Sequence, residues 1–306
     1  MKTVSVIIVN WNGYKDTIGC LSSLERLEAR GITVKKIIVD NGSTDGSVAK
    51  IAKVLPHDTI LTLPTNLGFT GGNNVGMKYA MLNGADYIWL LNNDTFVDRH
   101  ALNLLDAFNN PDVGIAGSKI YFAPGHEYHK DRYTAKDRGK VFWYAGGLVD
   151  WDNMYASHRG VDEVDIGQYD ETLDTPFVTG CSMMISKAVI EKVGYLDEKY
   201  YLYLEDLDFG LRAKRAGFRL LYYPKSVVWH VNAGSSGGAG NPLHDYYITR
   251  NRLLLGFRYA SGRTKFALLR EAITFLAGSN AEKKRAVMDF ITHKFGKQYE
   301  PQRYTS

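Results

Sequence analysis

Two short acidic segments of this sequence could do chemistry. The first, "LLNNDT", places Asp94 after an apolar run and beside Asn92 and Asn93. Oxygen ligands at such close spacing suit Mg²⁺ or Mn²⁺ that is shared with substrate phosphates. The second, "YLYLEDLDFGLRAKRAG", places Glu205 and Asp206 at the predicted start of a helix. That pair could stabilise the helix N-terminus, or it could take a proton from a substrate.

Polar side chains also follow the apolar runs nearer the N-terminus. Asp40 ends "KKIIVD", where a short acidic residue is well placed to accept hydrogen bonds from a ribose or a base edge. The other side chains at predicted strand ends are Asn10, Trp11, Asn12, Asn41 and Asn66. Any one of the amides could be a turn residue. Their convergence on one edge of a sheet would instead favour a binding site.

Hydrophobic periodicity predicts the elements that position these residues. Residues 4–9 form a continuous apolar run, and Ile18, Leu21, Leu24 and Leu27 then recur at helical spacing. The alternation continues through "KKIIVD", "STDGSVAKIAKVL", "TILTL", "GGNNVGMKYAMLNG" and "YIWLLN". Such alternation predicts an α/β fold with a mostly parallel sheet and helices on both faces. Ligands of these sheets bind beyond the carboxyl ends of the strands.

The pattern loosens after residue 98. "ALNLLDAF" predicts a helix, "VGIAGSKIYF" a strand, and "FVTGCSMMISKAVIEKVG" a buried strand and a helix, while "RLLYYP" and "SVVWHV" predict two further strands. Residues 124–140 predict a polar loop, and its His126 and His129 are interpreted as solvated side chains rather than metal ligands. A glycine-rich link at 232–242 precedes helical residues from His244 onward. We therefore expect one domain over 1–240 and a basic helical region over 241–306.

Composition fits a soluble enzyme of the cytoplasm. The 306 residues are 45% hydrophobic and 23% charged. We expect no transmembrane helix, because no apolar run approaches ~18 residues, and no signal peptide, because the first apolar run is short and lacks a cationic leader. The two cysteines, Cys20 and Cys181, are far apart in sequence, which fits two inert buried thiols in a reducing compartment and argues against structural zinc.

The net charge of +4 is unevenly distributed. Residues 241–306 carry twelve Lys and Arg against five Asp and Glu, so that this region is +7 and the first 240 residues are −3. The cations Arg250, Arg252, Arg258, Arg263 and Lys265 alternate with Tyr, Leu and Phe, as in interfacial helices that bind an anionic membrane surface. A packed helical subdomain with a solvated basic face, or a homo-oligomer contact, would explain the same pattern. Nucleic acid is not an expected partner, because the sequence has no recognisable nucleic-acid-binding module.

Several enzyme classes lack their signature in this chain. "NWNGYK" stands where a dinucleotide-binding G-x-G-x-x-G would follow the first strand, and no G-x-x-x-x-G-K-[ST] occurs. No G-x-S-x-G elbow occurs among the predicted strands and helices of the first 230 residues, which argues against a serine hydrolase of the α/β type. What remains is a set of carboxylates and amides at strand ends.

Six motifs resemble, in order, those of the inverting family-2 glycosyltransferases. They are "VSVIIVNWNG", "IIVDNGSTDGS", "NLGFTGGNNVG", "LLNNDT", "TGCSMMISKAVIEKVGYLDEKYYLYLEDLDFGLRAKRAG" and "VVWH". The resemblance covers about residues 4–236. It implies the GT-A fold, a Rossmann-like mixed and mostly parallel sheet flanked by helices, and transfer of a sugar from a nucleotide-sugar donor. Residues 1–98 would then form the nucleotide-binding half and 99–240 the acceptor half, with the helical extension following.

The resemblance assigns roles at the donor site. Trp11 matches the aromatic residue that stacks on the base, and Asp40 matches the carboxylate that hydrogen-bonds the base. Asp94 matches the last aspartate of the metal-binding D-x-D motif, in which Asn92 replaces the first. His230 in "VVWH" matches a further ligand of Mg²⁺ or Mn²⁺, although a core histidine at a strand end would fit the same position.

The resemblance also assigns the acidic pair and its neighbours. Asp206 matches the general base, whose pKa nearby carboxylates would raise toward the range useful for deprotonating a hydroxyl. Glu205 is expected to orient that base or to bind acceptor hydroxyls. The remaining predicted donor-binding residues are Asn12, Asn41, Asn66, Gly68, Asn73 and Asn93, and the predicted acceptor-binding residues are Asp197, Tyr203 and Glu205. Asn73 stands where many members carry an arginine, so other residues must contact the pyrophosphate.

The motif combination looks most like the rhamnosyltransferase branch of bacterial polysaccharide assembly. It implies dTDP-L-rhamnose or a UDP-sugar as donor and a saccharide or lipid-linked saccharide as acceptor. "ITRNRLL" replaces the Q-x-x-R-W of processive synthases, which favours transfer of a single sugar. A sugar nucleotidyltransferase would need a glycine-rich basic loop where "NWNGYKD" stands. A catalytically silent binding relative is a second alternative, but it need not keep Asp94, Asp206 and His230 together.

Overall fold

The computed structural model describes residues 1–29, 31–54, 58–231 and 241–299. The strands are β1 (Thr3–Asn10), β2 (Thr33–Asp40), β3 (Thr59–Thr62), β4 (Tyr87–Leu91), β5 (Thr95–Val97), β6 (Val113–Phe122), β7 (Phe142–Tyr144), β8 (Gly147–Asp150), β9 (Tyr155–His158), β10 (Leu173–Asp174), β11 (Ser182–Ser186) and β12 (Arg219–His230). The α-helices are α1 (Tyr14–Leu24), α2 (Ser47–Val54), α3 (Gly68–Leu82), α4 (Lys187–Val193), α5 (Glu205–Arg215), α6 (Pro242–Tyr259), α7 (Gly262–Ala277) and α8 (Ala281–Ile291).

The large sheet is mixed, with the strand order β10-β12-β6-β11-β4-β1-β2-β3. The pairs β1–β2, β1–β4, β2–β3 and β6–β12 are parallel. Strand β11 runs antiparallel to both β4 and β6. β8 and β9 form a separate hairpin. The predicted mixed, mostly parallel sheet with flanking helices is therefore confirmed.

Strand β1 separates two layers of the hydrophobic core. Val6 and Ile8 pack in a cluster that includes Leu21 of α1, whereas Ile7 packs in a cluster that includes Met77 of α3. A strand that is buried on both faces needs an uninterrupted apolar sequence, which "VSVIIV" nearly supplies. The register pairs Asn10 with Asp40, so the polar residues after β1 and β2 lie at the same carboxyl edge.

Helix α3 lies unusually close to β1 because it presents glycines there. A Cβ added to Gly76 would lie 2.4 Å from Ile7 Cγ2, and one added to Gly72 would lie 2.9 Å from Val9 Cγ1. The missing side chains let the helix backbone rest directly on the strand. This contact brings the N-terminus of α3 to the carboxyl edge of the sheet, beside the ends of β1 and β2.

The second half departs from the prediction in several elements. "ALNLLDAF" forms the predicted helix, which is of the 3₁₀ type over Ala101–Asn109. "RLLYYP" and "SVVWHV" form one strand, β12, whose register with β6 shifts between Tyr223 and Val227. Pro224 lies within that shift and explains it, because a proline cannot donate a hydrogen bond to the neighbouring strand. The sequence did not predict β5, the β8–β9 hairpin or α8. Most of the predicted glycine-rich link falls on 232–240, outside the described residues.

Helix α6 packs into the body of the protein. Leu253, Leu254 and Leu255 lie in the same hydrophobic cluster as Val6 and Ile8. The interpretation of the α6 arginines as lipid-facing is wrong, because Arg250 and Arg252 are buried and Arg258 pairs with Asp197 and Asp208. The division of the chain at residue 240 stays a prediction.

Candidate active site

Asp40 ties together the loops that follow β1 and β2. Its carboxylate accepts hydrogen bonds from Asn10 Nδ2 at 2.8 Å and from the backbone N of Ser43 at 3.0 Å. The side chain is only 1% exposed. Asn10 Oδ1 in turn accepts from Thr17 Oγ1, to which Asn93 Nδ2 also donates. The carboxylate thus has structural partners on both oxygens, and its predicted contact with a base stays a prediction.

Trp11 and Asn12 form the outer lip of this edge. The Trp11 side chain is 38% exposed, which leaves ring surface on which a base could stack. Asn12 has a φ of 53°, a conformation that asparagine tolerates better than most residues. Its backbone N donates to Ser43 Oγ, and its Oδ1 accepts from the Thr44 backbone N at 2.8 Å. Asn12 therefore fixes the loop that presents Trp11.

Asn41, Asn66 and Gly68 join β2 to the start of α3. Asn41 Nδ2 donates to Asn66 Oδ1 and to the Gly68 carbonyl, each at 3.0 Å, and Asn41 Oδ1 accepts from the Leu67 backbone N. Gly68 has a φ of 73°, and a Cβ there would lie 2.4 Å from Tyr201 Cδ2. The glycine is thus required both by its backbone conformation and by the close approach of the 199–204 segment.

Asn73 lies within helix α3 and bonds to its first turn. It is buried, and its Nδ2 donates to the Phe69 carbonyl at 2.9 Å. The Phe69 ring packs against Gly180, where an added Cβ would lie 2.7 Å from Phe69 Cζ. Asn73 consequently stabilises the first turn of α3 at the point where this helix meets Gly180.

The structure brings Asp94 and His230 together from positions 136 residues apart. His230 Nε2 lies 3.1 Å from Asp94 Oδ1, and β5 and β12 pair immediately beside them, with Thr95 opposite His230. His230 Nδ1 is buried without a hydrogen-bond partner. The imidazole also contacts the Trp143 ring, with centroids 4.5 Å apart. The sequence prediction that these two side chains share a site agrees with this geometry.

Both cysteines support the Asn92–Asp94 turn. Cys20 Sγ lies 3.7 Å from the Asn92 carbonyl, and the Cys181 carbonyl accepts from the Asn92 backbone N at 3.0 Å. Burial raises the pKa of Cys20 to about 12 and also raises that of Cys181 well above its ordinary value. The prediction of two buried thiols is confirmed. Asp16 lies near the same turn, and its pKa is raised by burial and then by the charge of Asp94.

Asp206 lies in the first turn of α5, where two backbone amides hold its carboxylate. The Gly180 N donates to Oδ2 at 3.1 Å, and the Leu207 N donates to Oδ1 at 2.8 Å. Burial raises the pKa of Asp206 above its ordinary value, although both amides oppose that shift. A half-buried carboxylate with a raised pKa suits proton abstraction better than an exposed one.

The segment Thr179–Gly180–Cys181 connects the two acidic motifs. Gly180 holds Asp206, while the adjacent Cys181 holds Asn92 in the turn before Asp94. In the sequence this "TGC" stretch belongs to a family-like motif, but none of its residues was predicted to lie in the site. The signal was weak, since it marks a backbone contact rather than a reactive side chain.

Glu205 is more deeply buried than Asp206. Its Oε2 is buried without a hydrogen-bond partner, and burial together with the charge of Asp206 raises its pKa well above 4.5. This shift favours the protonated form of the carboxyl group. In that form Glu205 can donate a hydrogen bond, and it adds no charge next to Asp206.

Asp197 and Tyr203 lie on the side of α5 that faces α6. Asp197 Oδ2 pairs with Arg258 Nη2 at 2.7 Å, and its Oδ1 accepts from the Lys199 backbone N. The Tyr203 ring packs edge-on against His244, with centroids 5.2 Å apart. Both residues thus contact the C-terminal helices, and their predicted role in acceptor binding stays a prediction.

The buried acid Glu205 predicts a pH-dependent effect on stability. Since its pKa is raised in the folded protein, its contribution to stability is present below the ordinary value of 4.5 and is lost as pH rises through the folded value. We expect Glu205→Gln to gain stability relative to the wild type as pH rises above that range, measured as melting temperature against pH. Glu191→Gln, at an exposed position, is the control. A difference that does not change with pH would contradict this assignment.

The chain matches a protein-family model over most of its length. Residues 2–252 match the model of "Glycosyltransferase like family 2". The chain is a family-2 glycosyltransferase. Two relatives of this glycosyltransferase are rhamnosyltransferases by name. It is 27% identical over 234 residues to the N-acetylglucosaminyl-diphospho-decaprenol L-rhamnosyltransferase of Mycobacterium tuberculosis, covering 71% of this chain and 72% of the relative. It is 25% identical over 266 residues to the dTDP-rhamnosyl transferase RfbF of Shigella flexneri, covering 83% and 80%.

Solved structures place this family-2 glycosyltransferase in the GT-A fold. GalNAc-T7 with UDP, GalNAc and Mn²⁺ matches with a TM-score of 0.69 at 15% identity, over 95% of this chain and 55% of that one. The mannosyltransferase PcManGT of Pyrobaculum calidifontis, in complex with GDP-Man and Mn²⁺, matches with a TM-score of 0.55 at 15% identity, over 95% and 74%. At such identities the likeness concerns the fold alone.

Proposed function

We propose that this family-2 glycosyltransferase is an inverting, divalent-metal-dependent enzyme that moves one sugar from a nucleotide-sugar donor to a saccharide or lipid-linked saccharide in cell-surface polysaccharide synthesis. The favoured donor is dTDP-L-rhamnose, and a UDP-sugar is the alternative. The observation that carries the proposal is the short connection through residues 179–181, which holds Asp206 and the Asn92–Asp94 turn side by side. We infer that a base and a metal site tied to adjacent residues act on one bond.

The donor edge supports nucleotide binding. Trp11 exposes ring surface at the carboxyl edge of the sheet. Hydrogen bonds of the Asn12, Asn41 and Asn66 amides hold the surrounding loops. These bonds are formed within the protein itself, so the loops are ordered before a ligand arrives. Preorganised loops reduce the ordering cost that a ligand must offset.

Asp94 and His230 fit a divalent cation that the donor shares. Their facing atoms are 3.1 Å apart, so both side chains can reach one ion. No group of three His, Cys, Asp or Glu that could hold a metal is found in the part of the chain that the structure describes. Mg²⁺ and Mn²⁺ at such sites keep only one or two protein ligands and take the rest from phosphates and water. A cation bound there would neutralise charge on the departing nucleoside diphosphate.

Asp206 supplies the base in the proposed reaction. An acceptor hydroxyl transfers its proton to Asp206 as its oxygen forms a bond to the anomeric carbon. The bond from that carbon to the diphosphate oxygen breaks on the opposite face, so the configuration inverts and the nucleoside diphosphate leaves. The Gly180 and Leu207 amides keep the carboxylate in place, and the raised pKa of Glu205 disfavours a second negative charge beside it.

The proposal is tested by nucleotide release from a panel of donors. The wild-type protein is mixed with dTDP-L-rhamnose and UDP-sugars, a polyprenyl-diphospho-N-acetylglucosamine acceptor, and Mg²⁺, Mn²⁺ or EDTA. We expect metal-dependent release from one donor, and the anomeric configuration of the product, read by NMR, is expected to be opposite to that of the donor. Release that persists in EDTA would contradict metal dependence, and retained configuration would contradict the single displacement.

The C-terminal helix α7 supports contact with an anionic membrane surface. Phe266, Leu269 and Ile273 lie along one face of α7 and are strongly exposed, with Phe266 at 64% and Ile273 at 66%. Arg263 and Arg270 are exposed on the same helix. An exposed apolar stripe with flanking cations is typical of helices that lie in the headgroup region of anionic lipid. No helix of the described residues has the length and apolarity to cross a bilayer.

Removal of this stripe is expected to weaken membrane binding. We expect the double variant Phe266→Ser, Ile273→Ser to lose at least about tenfold in partitioning onto phosphatidylglycerol vesicles, since burying each side chain is worth about 1.5–3 kcal/mol. Cosedimentation measures the effect. Leu148→Ser, at an exposed apolar residue of β8, is the control. Equal binding of the double variant and the control would contradict this surface, as would equal binding to phosphatidylcholine vesicles.

A further inference from the structure

The segment before the acidic pair has an unusual backbone. Tyr201, Tyr203 and Leu204 have φ values of 64°, 69° and 67°. Residues other than glycine rarely adopt this left-handed region, and such conformations persist only where the surroundings hold them. Leu204 directly precedes Glu205 and Asp206, so the path of this segment sets the direction in which α5 begins.

Asn251 of α6 supplies most of the hold on this segment. The two N–H bonds of its Nδ2 face three carbonyl oxygens, those of Tyr200 at 2.9 Å, Leu202 at 2.8 Å and Tyr203 at 2.9 Å. Asn251 is fully buried. Three carbonyls can converge on one amide only when the backbone between them is tightly curled, which is the conformation that the positive φ values describe.

Arg250 supplies the rest. Its Nη2 donates to the carbonyls of Lys199 and Tyr200, each at 3.0 Å, and its Nη1 donates to the Gly296 carbonyl at 2.7 Å. The guanidinium also donates to Asn251 Oδ1 through Nε and Nη2, which orients the amide. It is fully buried, and its bonds go to neutral oxygens rather than to a carboxylate. The sequence pattern is that of a lipid-facing cation, but in the structure Arg250 lies in the protein interior.

The same segment also touches the donor half. The Tyr201 carbonyl accepts from the Thr70 backbone N at 3.2 Å, and the Tyr201 ring lies against Gly68 at the start of α3. On its other side the ring stacks on Tyr247 of α6, with centroids 5.0 Å apart. Residues 199–204 are therefore held between the C-terminal helix and the donor-binding edge.

We propose that Arg250 and Asn251 are positioning residues that hold residues 199–204 in this curled form and thereby aim Asp206 at the acceptor hydroxyl. This inference rests on the proposed function, in which Asp206 is the base. Both residues are fully buried, so their effect passes through the backbone carbonyls to the first turn of α5. Helix α6 then helps to position the base, whereas the proposed membrane contact belongs to α7.

The test compares conservative variants on one helix. Arg250→Lys keeps the charge but loses the planar fork that reaches several carbonyls at once. Asn251→Asp keeps the shape but replaces the amide donor with an oxygen that repels the three carbonyls. The matched control is Arg252→Lys, two positions from Arg250, because Arg252 is also buried but bonds to the Asn153 carbonyl and to Glu271. Circular dichroism checks that each variant is folded. If Asn251→Asp does not fold, Arg250→Lys alone decides the outcome.

Two readouts separate positioning from general stability. We expect kcat of the two variants to fall about 10²-fold, as for a small misplacement of a catalytic group, while the Kd for dTDP and UDP with Mn²⁺ stays unchanged. Hydrogen exchange of the backbone amides of residues 199–207 should accelerate in both variants and not in Arg252→Lys. Unchanged hydrogen exchange in the two variants would overturn the proposal. Accelerated exchange in variants whose kcat equals that of Arg252→Lys would also overturn it. If the wild type transferred no sugar, the proposed function would fail, whereas the exchange result would still show whether α6 holds this segment.

Discussion

Replacement of Asp206 by asparagine is expected to lower kcat by about 10²–10⁴-fold, the range that a positioned general base contributes. An amide cannot take the proton of the acceptor hydroxyl, so the attacking oxygen remains a weak nucleophile. The donor edge lies on other elements, so the Kd for the nucleotide should stay near that of the wild type. Initial rates of nucleotide release and calorimetric titration with dTDP and UDP measure the two quantities.

The hydrogen bonds of Asp206 shape the controls for this experiment. An asparagine that accepts from Leu207 N through Oδ1 would turn its amide group toward the Gly180 N–H and lose that bond. The melting temperature of the variant must therefore be measured beside its rate. Glu205→Gln replaces the neighbouring carboxyl group with a neutral amide but keeps the base, and it should remain far more active than Asp206→Asn. Equal rates for Asp206→Asn and the wild type would show that the acidic pair only starts a helix.

The pH profile gives a second view of the same group. Burial raises the pKa of Asp206 above its ordinary value of 3.8, and the base works only when ionised. Activity should be low at acidic pH and rise as pH passes through this raised value. In Asp206→Asn the residual activity should lack that rise. A variant that retained the acidic limb of the profile would assign the limb to another group.

Asp208→Ala is expected to cost about 3–5 kcal/mol of stability, as for removal of one partner of a buried ion pair. The Asp208 carboxylate is fully buried and accepts from Tyr200, Arg212, Arg258 and Tyr259. Its loss leaves two guanidinium groups and two hydroxyls without their shared acceptor. Urea unfolding followed by circular dichroism measures the free energy.

Asp197→Ala is the matched control for this loss. Asp197 also pairs with Arg258, but its side chain is 25% exposed and contacts one arginine. Partly exposed pairs of this kind are worth about 0–1 kcal/mol. A comparable loss in the two variants would contradict the view that Asp208 is the main tie between α5 and α6. The expected contrast separates a buried junction from a peripheral one within the same ion-pair network.

Local patterns were sufficient to predict much of the donor half. The apolar run of β1, the helical spacing of α1 and the Ser/Thr start before α2 each depend on neighbouring residues only, and the structure has these elements close to the predicted positions. Asp94 and His230 were also predicted as one site, because their motifs match a known family. Composition alone would not have paired two residues 136 positions apart.

Long-range contacts explain the elements that were mispredicted. The two predicted strands "RLLYYP" and "SVVWHV" are one strand, because β6 pairs on both sides of the irregularity at Pro224. Strand β11 runs antiparallel between β4 and β6, a direction that no periodicity encodes. Burial of Arg250 was equally invisible, since an arginine that alternates with aromatic residues has the same pattern on a membrane-facing helix as in a core.

Motifs and hydrophobic periods were sufficient to predict the family, the mixed α/β fold and the residue types of the candidate site, because they are local properties of the chain. Tertiary structure alone decided how the two acidic motifs meet through residues 179–181 and how α6 grips the backbone before Asp206. Both arrangements depend on backbone N–H and carbonyl groups. Almost every residue carries these groups, so the sequence does not show which of them form the contacts.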